Sequence, residues 1–167
     1  LKISELKSLS ATVSAAVKPI LNISTHWRQR GFIPGRNFIV NVLDADSKSR
    51  CFAADYKPPD KFNPAKVSVL TAWDFAAAFP SLSQRWMILS LEASSLVLFV
   101  RSLYESNRAL GYSDGAASWL FDVLSGILQG DPASGWLYAV ACDPFKRMIE
   151  AASKSSSSAA SVSSATS

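Results

Sequence analysis

Between Lys57 and Lys66 the chain carries Pro58, Pro59 and Pro64. Each proline lacks a backbone N–H and fixes φ, so this stretch can sustain neither a helix nor a sheet ladder. It therefore reads as a connector, and the chain must fold as one segment before it and another after it. The two segments differ in pattern.

Ahead of the connector the pattern is helical. Leu6, Leu9, Val13, Ala16, Val17 and Ile20 recur at helical spacing, and Pro19 predicts a kink or an end near that point. Gln29-Arg30-Gly31-Phe32-Ile33-Pro34-Gly35-Arg36 is a loop by its glycine and proline content. Asn37 can cap a second helix whose apolar positions Ile39, Val40, Val42 and Leu43 lead toward Cys51 and Phe52.

Behind the connector, Val67 to Phe75 is β-branched and aromatic and reads as a buried strand. Pro80 and Ser81 open a helix through Leu91, and another spans about Leu96 to Tyr104. Arg108 to Asp122 reads as a hairpin turning at Ser113-Asp114-Gly115. A glycine-containing loop, Gly126 to Gly135, leads to a last helix with Leu137, Val140, Ala141 and Phe145 inward. Residues 151–167 are nearly all serine and alanine, too poor in apolar surface to order themselves. The expected class is α+β, with helices framing a few antiparallel strands.

At 49% hydrophobic and 18% charged residues the composition is that of a globular chain able to bury one core. The longest apolar stretch, Met87 to Val100, is interrupted by Glu92 and serines and is shorter than a bilayer span, so no membrane partner is expected. No secretory leader pattern is seen, and an intracellular location, nuclear or cytoplasmic, is expected. Cys51 and Cys142 form no Cys-x-x-Cys pair, and with His26 they make no zinc constellation, so both cysteines are expected reduced and partly buried.

The charge is unevenly spread. Residues 1–70 hold eleven Lys/Arg against five Asp/Glu, and residues 71–167 hold six against eight, which is +6 and −2 of a net +4. A basic half beside a mildly acidic half suits an enzyme that binds a polyanion and uses cations.

Three clusters can carry chemistry. Asp74 closes the apolar strand, with Phe79 five residues on. A carboxylate at a strand end is a hard-oxygen ligand for magnesium, and an aromatic ring one turn later can lie beneath a sugar. The same residues can instead cap a helix and fill the core. Gly126-Ile127-Leu128-Gln129-Gly130-Asp131-Pro132-Ala133-Ser134-Gly135 lets backbone approach a flat ligand, and Ser134 can cap the helix that follows. It is no P-loop, because no Gly-Lys-Ser/Thr follows, and it can equally be an ordinary loop. The loop from Gln29 to Arg36, with two arginines, can hold a nucleic-acid backbone or simply be solvated.

In this order the clusters resemble the reverse transcriptase domain of non-LTR, LINE-like retroelements. Gln29 to Arg36 is similar to the family's Gln-x-Gly-Phe-x-Pro-Gly-Arg fingers motif. Leu70 to Ser81 resembles its Asp-x-x-x-Ala-Phe-Asp palm motif, with Pro80 in place of the second aspartate. Ser125 to Ser134 resembles Gly-Val-x-Gln-Gly-Asp-Pro-x-Ser, and Leu137 to Phe145 resembles the helix that follows. The resemblance covers roughly residues 1–150 and implies a partial right-hand polymerase fold, with fingers over 1–66 and palm over 67–150.

It also implies roles. Asp74 would be the catalytic and metal-binding aspartate. Phe75, Phe79, Gln129 and Gly130 would bind the nucleotide, with Phe79 as the sugar gate. Arg28, Gln29, Arg30, Gly35 and Arg36 would hold nucleic acid, and Lys7 stands near where the family keeps triphosphate-binding basic residues. The implied reaction is templated nucleotidyl transfer from dNTPs with two Mg ions, on an RNA template and DNA primer or an RNA–DNA hybrid.

No Tyr/Phe-x-Asp-Asp follows the last helix. The expectation is therefore a domain fragment without polymerase activity, with a non-catalytic RNA- or protein-binding scaffold as the other reading.

Overall fold

A computed structural model describes residues 3–57, 70–72 and 74–164, with backbone alone over 155–164. Helix α1 is Ile3–Ser24 and α2 is Ile39–Asp55. Behind the connector come α3, Ala78–Ser81, α4, Gln84–Ser90, and α5, Val97–Tyr104. Strands β1, Arg108–Ser113, and β2, Ala116–Asp122, precede α6, Ser134–Ala141, and α7, Asp143–Ser164. The fold is mixed helix and strand, as expected from the sequence.

Helix α6 is the centre of the core. Trp136, Leu137, Ala139 and Ala141 are all buried, and so is Ala133 just before the helix. A short helix buried nearly all round needs neighbours on several sides. Here α4 packs on α6, as does α7, and α5 packs on α4. Met87 and Leu91 of α4, Val100, Leu103 and Tyr104 of α5, and Val17 and Leu21 of α1 complete the cluster. Each large apolar side chain taken fully out of water contributes about 1.5–3 kcal/mol.

Trp86 donates its indole N–H to Ala141 O at 2.8 Å, and Trp136 donates its own to Ser14 Oγ at 2.9 Å. Two large rings thus enter or flank the core without an unpaired donor.

Helix α1 runs through Pro19 to Ser24 rather than ending there. Pro19 is exposed, so the carbonyl left without its N–H partner is open to water. Its buried stripe is Ser10, Ser14, Val17 and Leu21, whereas Leu9 and Ile20 face outward. The face is rotated from the expected one because Ser14 is needed by Trp136.

The hairpin forms over the expected residues. Asp114 at φ +52° and Gly115 at φ +77° make the two-residue left-handed turn that joins twisted antiparallel strands. A bulge lies between Ala109 and Leu110.

Helix α2 buries none of its residues, so Ile39, Val40, Val42 and Leu43 lie on an exposed surface. Other expectations are corrected. The segment expected as one helix from Pro80 is two, broken at Leu82 and restarted by Ser83, whose hydroxyl accepts from Trp86 N at 3.3 Å. The last helix is likewise divided at Cys142, and Cys51 is exposed. Most of the strand expected over 67–75 lies outside the described residues, and the described 70–72 and 74–75 carry no strand.

The serine- and alanine-rich segment continues α7 through Ser164 instead of lacking order. Extending a helix costs far less than nucleating one, and alanine is its best former.

Candidate nucleic-acid interface

Parts of the three clusters, far apart in sequence, come into contact. Phe32, from the basic loop, sets its ring edge-on to Phe79 at 5.6 Å between centroids. Phe79 stacks in turn on Tyr138 of α6, in the helix that follows the glycine loop, at 4.8 Å and 22°. The backbone joins the Phe79 segment to the glycine loop. Ile127 N donates to Phe79 O at 3.2 Å, Gly126 N to Leu82 O at 2.8 Å, and Gln84 Nε2 to Gly126 O at 3.1 Å.

Gly126 sits at φ +94°, and a Cβ there would lie 3.3 Å from Pro80 O. Only glycine serves both demands. A Cβ on Gly135 would come within 2.8 Å of the Phe32 ring, so α6 and the first loop are equally close. Phe32 holds φ +61°, a conformation that costs a bulky residue energy, and its ring contacts offset that cost.

The basic loop is held from beneath. Gly35 at φ +76° turns the chain so that Arg36 reaches back under the end of α1. Its guanidinium donates to Asn22 Oδ1 at 2.8 Å, His26 O at 2.7 Å and Gln29 O at 2.8 Å, and also to Asn22 O and Thr25 O. It satisfies carbonyls that a helix end leaves without partners. Gln29 is buried, donating to Gly31 O at 2.7 Å and accepting from Lys146. Arg30 pairs with Asp44 at 2.6 Å.

Of the three arginines, Arg28 alone points its cation at a ring, 4.7 Å from the centroid of the half-exposed Trp27. Trp27, Arg30, Gly35, Arg36, Asn37 and Val40 line a shallow cavity of about 300 Å³ beside it.

The loop is anchored to α7 by polar contacts. His26 N donates to Asp143 Oδ1 at 2.6 Å, the His26 ring bonds Glu150, and Arg147 donates to both Asp143 and Ser24 O. Hydrogen bonds from His26 and then Lys154 hold the Glu150 carboxyl below the ordinary glutamate range. Burial pushes the Lys146 ammonium down. Burial also raises the Tyr138 phenol to about 12, with Cys142 adding to the shift, so Tyr138 remains a neutral donor.

Gln129 and Gly130 form an exposed turn, Gly130 at φ +76°. A Cβ on Gly130 would lie 4.0 Å from Lys7 Nζ, which places an α1 cation beside this turn. Gln129 also borders a cavity of about 540 Å³ with Leu6, Pro80, Gln84 and Ser125. Ser134 does not cap α6. Its hydroxyl donates to Leu128 O, and Asp131 Oδ1 accepts from Ala133 N at 2.8 Å instead.

Asp74 and Phe75 are exposed and stand apart from the ring cluster's contacts. Among the described residues no three carboxylate, imidazole or thiolate groups gather as a metal site. One exposed carboxylate does not fit a pair of hard divalent cations, which need several oxygen ligands.

Trp27, Phe32 and Tyr138 complete the face but were not singled out in the sequence as site residues. Their aromatic character was the available signal, and nothing local told which rings would meet. Among the described residues no helix is long and apolar enough to cross a membrane. Comparison with protein-family models, with curated proteins and with solved structures finds no match.

Proposed function

We propose that these residues are part of a reverse transcriptase domain of the non-LTR type, and that what they do themselves is hold nucleic acid rather than extend a primer. The observation that carries this reading is the meeting of Phe32, Phe79 and Tyr138, one ring from each of three motif regions, beside the Gly126–Gly130 loop. Motifs that merely happened to occur in this order would have no reason to pack on one another.

The chemistry on offer is electrostatic and stacking. Arg28 on Trp27 and Lys7 beside Gly130 can neutralise phosphates, while exposed Trp27 and Phe32 present ring surface to a base. Arg36 and Gln29 act through the loop, by fixing its shape. Arg30, paired with Asp44, also shapes the loop. Gln129 faces solvent, where a template–nucleotide pair can reach it.

Polymerisation needs metal ligands beyond Asp74, and no Tyr/Phe-x-Asp-Asp occurs in these 167 residues. The chain is therefore expected to give no magnesium-dependent primer extension. Extension abolished by Asp74→Ala would overturn that part.

The test of binding is fluorescence anisotropy with a labelled RNA–DNA hybrid over a range of salt. Affinity should fall steeply as salt rises, and Arg28→Ala should reduce the log–log salt slope by about 1. Absent or salt-insensitive binding would sink the reading.

One observation favours a scaffold without catalysis. Phe79 is flanked by two rings, and Gln29 and Arg36 make their contacts within the fold. A protein partner captured at this face with no nucleic-acid affinity would decide for that alternative.

A further inference from the structure

A third cavity, about 790 Å³, opens between α4, α5 and the foot of the hairpin. Arg85 of α4, Arg101 of α5 and Arg108 of β1 converge on it from three elements. Arg30, Arg50 and Arg147 pair with Asp44, Asp46 and Asp143, while Arg28 lies over a ring and Arg36 donates to carbonyls. Among the described residues Arg85 and Arg101 have no such partner. Arg108 is only loosely paired, 3.8 Å from an Asp122 whose Oδ1 also accepts from Trp119 Nε1 at 3.1 Å.

Glu105 and Asp122 are the carboxylates on the rim, so three guanidiniums face two negative charges. Ile88, Leu89, Val123 and Leu124 make one wall apolar. Tyr104 is buried at the floor. Its hydroxyl accepts from Leu128 N at 3.3 Å, which holds the ring in place. A cationic rim over an apolar wall suits a ligand with an anionic end and a flat uncharged body, and guanidinium groups match phosphate oxygens in geometry.

We propose that this cavity is a binding site for a phosphoryl group carried on a flat uncharged body, that is, a nucleoside monophosphate unit. The unit can be a free nucleotide or the phosphorylated end of a nucleic-acid strand. The site does not depend on the polymerase reading, since none of its arginines belongs to the three motif clusters.

The test titrates the full chain with AMP, adenosine and inorganic phosphate by calorimetry. It then repeats the AMP titration on an Arg85→Ala/Arg101→Ala double variant. Both arginines are exposed, and an unchanged urea midpoint verifies that the variant is folded. AMP should bind at least tenfold more tightly than adenosine or phosphate, and the double variant should lose at least tenfold in affinity. Competition by a 5′-phosphorylated oligonucleotide, but not by its 5′-hydroxyl form, would identify a strand end as the source. AMP binding without such competition would identify a free nucleotide.

Three results would overturn the proposal: failure of both AMP and the phosphorylated strand to bind, equal binding of phosphate and AMP, or affinity unchanged in the double variant.

Discussion

Replacing Arg36 by alanine should damage the fold rather than a ligand contact. The guanidinium donates to His26 O at 2.7 Å and Gln29 O at 2.8 Å, both in part-buried surroundings, and to Asn22 at the exposed end of α1. Hydrogen bonds from a charged group contribute about 1.5–3 kcal/mol each. The exposed bonds to Asn22 are replaced by water at little cost and the part-buried bond to Thr25 O is long at 3.3 Å, so the two shorter part-buried bonds dominate and the expected loss is about 3 kcal/mol. Against the roughly 5–15 kcal/mol that holds a domain together, that is a large fraction.

Arg36→Lys should recover little of it, because one ammonium cannot reproduce the planar fork that reaches several carbonyls at once. The assay is urea denaturation followed by tryptophan fluorescence, since Trp136 is buried and should report loss of the core. Arg28→Ala, measured alongside, should leave the midpoint unchanged and lower hybrid affinity. If Arg36→Ala lost less than about 0.5 kcal/mol, the range of an ordinary surface change, the structural role assigned to this arginine would be wrong.

Other expectations follow from the same contacts. Leu137→Ala, at a fully buried site of α6, should cost about 2–5 kcal/mol in the same denaturation experiment. Trp136→Phe leaves the buried Ser14 hydroxyl without its partner and should cost about 1–3 kcal/mol. Adding Ser14→Ala should restore part of this, and a strictly additive double variant would argue against the bond. Glu150 titrates lower in the folded chain than in the unfolded one, so its stabilising contribution is present above the ordinary glutamate range and is lost as pH falls through its depressed value. Glu150→Gln should therefore flatten the acid limb of the stability–pH curve, and urea midpoints taken from neutral pH downward would reveal an unaltered limb if the contact were unimportant.

What the sequence made legible was local. Asp114-Gly115 between apolar runs specifies its hairpin through backbone conformation alone, and the strands formed where that turn requires. α5 likewise begins within a residue of the expected Leu96. What stayed hidden depended on partners distant in the chain. The buried stripe of α1 contains Ser10 and Ser14, which no apolar pattern selects, because Ser14 answers an indole 122 residues away.

Arg36 read as a phosphate contact by its charge. Within the fold its guanidinium also donates to carbonyls that come within reach through the left-handed turn at Gly35. The apolar spacing of α2 was equally plain, yet nothing among the described residues buries it. Periodicity specifies a face and not its cover.

The proposal that the contacting clusters form a nucleic-acid face is most directly tested by photocrosslinking. An RNA–DNA hybrid with 4-thiouridine in its template strand would be irradiated with the full chain, and the attached peptides mapped by mass spectrometry. Adducts should fall on the peptides holding Trp27 and Phe32, Phe79, and Gln129 to Tyr138. Adducts confined to α2 or the hairpin, or none at all, would contradict the account.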